Sequence, residues 1–157
     1  MEKVTELLNL IKAQAKAHAV VLVTGDGLIL DGAAEPDTDM DAIAAYAASY
    51  AVTSARMAEE TQFGPVDSVL VIYRDQAMIV APVDAEVSIA VIGTGGAQLG
   101  KLRLLVQRHL TAMATALRDD AQRSFVPLIP VTEATNGEHT NGAEGRTPQS
   151  ASLKASG

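Results

Sequence analysis

DMDAIAAYAASYAVTSARMAEE, residues 39–60, is the stretch whose reading decides the fold. Its apolar residues recur with the 3.6-residue period of a helix and divide into two separate surfaces. Ile43, Tyr46, Tyr50 and Met57 make a bulky face. Beside them runs a stripe of Ala44, Ala47, Ala51, Ala55 and Ala58, with Ala48 at its edge. Ser49, Arg56, Glu59 and Glu60 fill the remaining arc. A helix with one such surface covers its own core; this helix has a second to place. The bulky face is expected to lie on the protein's own sheet. The alanine stripe is expected to admit another helix at the short end of the usual range of about 8–10 Å. The most economical source of that helix is a two-fold copy of the chain. The competing explanation is that alanine is abundant here because it is the best helix former.

Outward from this helix, both flanks read as helix and hairpin. On the N-terminal side, Val4, Leu7, Leu8, Ile11 and Ala15 keep helical spacing and predict a first helix over residues 2–17. Residues 19–23 (AVVLV) form a buried strand, Thr24-Gly25-Asp26-Gly27 a hairpin turn, and residues 28–30 its partner strand. Asp31-Gly32 is expected to end that strand, and the acidic run 35–39 offers caps for the long helix. On the C-terminal side, Phe63-Gly64-Pro65 breaks the helix. Strands follow at 66–73, 76–83 and 87–92, joined by very short turns that force antiparallel pairing. Gly93-Thr94-Gly95-Gly96 leads into a last helix over 97–117, striped by Leu99, Leu102, Val106, Leu110, Met113 and Leu117.

The order α-β-β-α-β-β-β-α predicts an α+β fold, a five-stranded antiparallel sheet with helices on both faces. The 66–73 strand is a candidate sheet edge. Pairing Val69, Val71 and Tyr73 with the same strand of a second copy would remove the edge and make the sheet continuous across a homodimer. The domain is expected over residues 1–120. The apolar, proline-broken run at 121–131 reads as a docked extension. Residues 132–157, poor in bulky apolar groups, read as a disordered tail.

Composition narrows the function. The 157 residues carry 48% hydrophobic and only 3% aromatic residues, so the core is built from Val, Ile, Leu, Ala and Met. A formal net charge of −7, with no basic cluster, argues against nucleic acid and anionic membrane as partners. Cysteine is absent, which removes disulfide and thiolate chemistry and suits a reducing cytoplasm. The N-terminal stretch has no signal-peptide pattern, and no run reaches the roughly 18 apolar residues of a membrane span.

The motifs of enzymes are near misses. Gly95-Gly96-Ala97-Gln98-Leu99-Gly100-Lys101 has phosphate-loop spacing, but Leu102 stands where Ser or Thr must hold Mg²⁺. A glycine lead-in to a helix explains it better. Gln98 replaces the third glycine of a dinucleotide fingerprint. His18, His109 and His139 lie on separate segments with no catalytic or metal spacing. Asp37, Asp39 and Asp41 alternate like metal ligands, yet helix capping accounts for them. Arg74 at a hairpin tip could serve as a charge donor in trans, although a solvated turn residue is the simpler reading. No catalytic residue, metal or cofactor is expected.

The order of elements, VVLVTGDGLILDG at 20–32 and AQLGKLRLLVQRHLTAMATAL at 97–117 resemble the Roadblock/dynein light chain family, whose strands and helices follow the same profilin-like plan. The resemblance spans about residues 1–120 and points to its bacterial MglB-like branch. It implies a homodimer with paired central helices and one continuous sheet. It further implies a partner, a small Ras-like GTPase, whose GTP hydrolysis is stimulated without catalytic residues from the dimer. The surface implied for that partner is the central-helix side, with Ser49, Val52, Arg56, Glu59 and Glu60 as candidates. A dimerisation scaffold in a larger signalling or motor assembly is the alternative, and a small-ligand sensor ranks behind both.

Overall fold

The computed structural model describes residues 1–125, the side chain of Ala97 excepted. Its elements are α1 (Glu2–Ala15), β1 (Ala19–Thr24), β2 (Ile29–Ala34), α2 (Met40–Thr61), β3 (Val69–Ile72), β4 (Gln76–Pro82), β5 (Val87–Thr94) and α3 (Leu99–Ser124), with a short 3-10 turn at Gly96–Gln98 before α3. In β1 every residue from Ala19 to Val23 is buried. Such a strand needs cover on both faces and a neighbour on each side. The sheet supplies these with the antiparallel order β2-β1-β5-β4-β3.

Side-chain alternation splits the core in two. Val20 and Leu22 face α1 and α3 together with Ile79, Ile89 and Val91, and Leu8, Ile11, Val106 and Met113 close over them. Val21, Val23, Met78, Val80 and Ala90 face α2 on the other side. Helices therefore cover both faces of a five-stranded antiparallel sheet, as the sequence predicts.

Several boundaries move. The strand expected over 28–30 runs on as β2 to Ala34. Asp31 does not turn the chain; its carboxylate accepts a hydrogen bond from the Thr5 hydroxyl of α1 at 2.6 Å. Gly32 sits at a close backbone approach, since a Cβ there would lie 3.1 Å from the Val20 carbonyl oxygen and would displace the flexible end of Met40. The edge strand is shorter than 66–73, because pairing with β4 holds only from Val69 to Ile72. The last helix does not stop near residue 117 but continues to Ser124, beyond the expected domain limit at 120. The amino terminus of Met1 pairs with Asp120 and ties this polar extension to the start of α1. The expected docked extension lies outside the described residues from 126 onward, as does the expected tail.

The main correction concerns α2. Asp39 caps it as expected, accepting from the Ala42 N–H at 3.0 Å. The alanines, however, take the centre of the contact with the sheet, and of the bulky face only Ile43 and Tyr50 pack partly against it. Ala44, Ala47 and Ala48 are 0%, 0% and 4% exposed and lie on the chain's own sheet, so they cannot serve as a dimer interface. Tyr46 and Met57, expected in the core, are 64% and 58% exposed. The cause is size: the valines and Met78 of the sheet already fill the space beneath the helix, and only methyl side chains fit between. Ala47→Leu should therefore destabilise the fold by about 1–3 kcal/mol through overpacking. Tyr46→Ala should leave it nearly unchanged in dilute denaturant titrations, where no second copy is bound.

Candidate protein-interaction site

The two sheet edges differ in a way that matters for association. β2 carries a bulge that leaves Leu30 without a partner, and Asp31 and α1 guard the strand. These are the usual protections of an edge. β3, Val69-Leu70-Val71-Ile72, carries neither charge nor proline and pairs only with β4. Val69 and Val71 are half-buried on the α2 face, whereas Leu70, Ile72 and the following Tyr73 are exposed. The Tyr73 N–H donates to the Gln76 carbonyl at 2.8 Å and closes the β3–β4 turn.

On the same side of the sheet as Val69 and Val71, Ile43, Tyr46, Tyr50 and Met57 form one stripe along α2. Ile43 and Tyr50 pack partly against the core, and Tyr46 and Met57 stand clear of it. An unpaired apolar edge thus accompanies an uncovered apolar helix flank. The partner-binding candidates Ser49, Val52, Arg56, Glu59 and Glu60 are all exposed on α2, so the structure brings them together on one element. Of the expected dimer residues, Ala55 is exposed and Ala51 and Ala58 are half-buried. These three roof a groove beneath the C-terminal half of α2. Sequence reasoning missed this groove, although a run of small residues facing a sheet could have signalled a gap.

One ion pair fixes the edge strand. Asp67, just before β3, accepts from Arg103 Nη2 and Gln107 Nε2 of α3, each at 2.8 Å. The Arg103 hydrogen bond holds the Asp67 carboxyl below its ordinary range, against a smaller opposing effect of desolvation. Elsewhere, His18 Nδ1 lies 3.0 Å from Glu35, and this hydrogen bond lowers the Glu35 pKa. His109 Nε2 meets Gln14 Oε1 at 3.0 Å. His139 is outside the described residues. The glycine run before α3 serves packing: a Cβ on Gly95 would lie 3.0 Å from the Gln76 carbonyl oxygen. Gly100 and Lys101 are helical, and Leu102 is buried, so no open phosphate cradle forms there.

This geometry defines a class: an α+β module with a helix on one face of its sheet, two on the other, and an unguarded edge. The Roadblock/LC7 domain model matches residues 3–93, more than half of the chain, and the protein belongs to that family. The fold is similar to that of Myxococcus xanthus MglB, with TM-score 0.69 and 17% identity over 74% of this chain and 96% of that one. It is also similar to the gliding protein MglB from Thermus thermophilus, with TM-score 0.67 and 17% identity over 75% and 90%. A Roadblock/LC7 domain from Streptomyces avermitilis gives TM-score 0.63 and 17% identity over 75% and 97%. No curated protein matches the sequence. No helix among the described residues is long and apolar enough to cross a membrane.

Asp67 supplies a pH test. Its folded pKa is depressed, so its stabilisation is present above the ordinary value of 3.8 and is lost as pH falls through the lowered one. Asp67→Asn should give a slightly lower Tm than wild type at neutral pH. That difference should shrink as thermal melts are repeated below pH 3.8.

Proposed function

We propose that this protein is a homodimeric regulator of a small Ras-like GTPase, binding it in trans and stimulating GTP hydrolysis without catalytic residues of its own. The observation that carries the reading is the pairing of an unguarded apolar edge, β3, with the exposed Tyr46 and Met57 flank of α2. A two-fold axis beside β3 would join two sheets edge to edge and lay the two α2 flanks together, covering both surfaces at once. Val69, Val71 and Tyr73 belong to that interface. The bulky stripe of α2 takes the place first given to the alanines.

The resemblance to the MglB-like branch supports the GTPase as partner. Dimerisation would bring two copies of Ser49, Val52, Arg56, Glu59 and Glu60 onto one helical surface. This surface mixes charge with a small apolar area, as interface rims do. A protein acting this way contributes position: it holds the GTPase's own groups where charge develops on the transferring phosphoryl group.

Replacing Tyr46 and Met57 together by Glu should convert the dimer to monomer in sedimentation velocity, because two charges would be desolvated without partners. In the wild type, GTP-loaded GTPase should bind more tightly than the GDP form, and hydrolysis should accelerate. Arg56→Glu should lower that acceleration by at least about tenfold while the dimer persists, because charge reversal replaces an attractive contact by like-charge repulsion. Binding that ignores the nucleotide would instead mark a dimerisation scaffold.

A further inference from the structure

The groove under α2 arises from the same contact that seats the helix. α2 buries only Ala44, Ala47 and Ala48, all in its N-terminal half. Further along, Ala51 still packs partly against that core, but Ala55 and Ala58 do not. The result is a groove of about 600 Å³, within the range of sites that hold a ligand. Ala51, Ala55 and Ala58 form its roof, and Val69, Val80 and Pro82 its floor. Gly25 closes one wall, where a Cβ would lie 3.7 Å from Val52 Cγ2.

The interior offers little to a polar molecule. The Ser54 hydroxyl already donates to the Ala51 carbonyl at 3.0 Å. The lip is different, since Glu59, Asp84 and Glu86 line it and no Lys or Arg does. Asp84 is held in place by the N–H groups of Glu86 and Val87, each at 2.8 Å. Among the described residues, Glu59 and Glu86 have no ion-pair partner. A second copy of this chain, itself at −7, would bring more negative charge to that lip.

We propose that this groove binds a peptide segment of another protein that inserts a large apolar side chain under α2 and places neighbouring Lys or Arg residues against Glu59, Asp84 and Glu86. The apolar insertion supplies affinity, and the carboxylate lip selects for basic flanks. The groove opens beside the β4–β5 turn and Gly25, while the bulky stripe runs along a different face of α2. Apart from Val69, which lies at the start of β3 and also lines the groove, the proposed dimer contact and the groove therefore use different residues. The inference does not depend on the identity of the partner as a GTPase.

The test uses the full chain and short fluorescein-labelled peptides with a Leu-Phe-Leu centre, flanked either by arginines or by glutamates. Fluorescence anisotropy should show saturable binding of the arginine form, weaker by about tenfold for the glutamate form, as two or three rim ion pairs imply. Ala55→Trp, which fills the groove from an exposed position, should abolish binding with an unchanged melting curve. Glu59→Lys with Glu86→Lys should reverse the preference between the peptides. In the wild-type chain, methyl NMR signals of Ala51, Ala58, Val69 and Val80 should shift on addition of the arginine peptide. Equal binding of the two peptides would overturn the proposal, as would binding unaffected by Ala55→Trp. Silent groove methyls would overturn it too, whether the groove is then filled by a second copy or by the chain's own C-terminal residues.

Discussion

The contact of Ala44, Ala47 and Ala48 with the valine-rich sheet is the constraint on which the other features rest. Methyl side chains let α2 settle close onto Val21, Val23, Met78 and Val80 without a void. Once the small residues face inward, helical geometry obliges the large ones to face elsewhere, and Tyr46 and Met57 are left uncovered. The close seat also cannot hold along 22 residues of helix over a sheet that twists, so the far half of α2 stands over a groove. An apolar flank and an apolar groove are thus two consequences of one packing decision.

The sheet adds a third surface. Covering β1 on both faces and both sides places it inside the sheet next to the central β5, and the four-residue β3 is left at an edge with nothing to guard it. Asp67, Arg103 and Gln107 hold the start of that strand against α3. An ordered edge loses less entropy on pairing than a frayed one, so this anchor favours whatever adds a strand there. Closing β3 and the α2 flank with one symmetric partner satisfies both at once. The exposed arc of α2 and the groove, which share Val52 and Glu59, are left uncovered.

Much of the fold was legible because its signals are local. The Asp-Gly hairpin, the Asp39 cap and the run of five apolar residues in β1 each follow from backbone preference or burial on both faces. What was hidden depends on contacts distant in sequence. Asp31-Gly32 looks like a turn until its pairing with Leu22 and Val21 and the Thr5 hydrogen bond are seen to fix it as strand. Residues 118–124 have no apolar period, and their helix is held partly through Met1. The inversion of α2 escaped for a related reason. Amphipathic reasoning sends the largest apolar face inward, but the inward face of a helix is set by the space its sheet leaves. Ser49, Val52, Arg56, Glu59 and Glu60 were legible as one exposed arc of α2, whereas the groove was hinted at only by small residues, Ala51, Ala55 and Ala58, in phase with the buried alanines.

The central claim is that β3 and the bulky flank of α2 are closed by a second copy of the chain. Hydrogen–deuterium exchange of the β3 amides, followed by mass spectrometry across a dilution series, tests it most directly. The account predicts that β3 and the Tyr46–Met57 face of α2 are protected at high concentration and lose protection together as the dimer dissociates. Exchange in β3 that is fast and independent of concentration would contradict it.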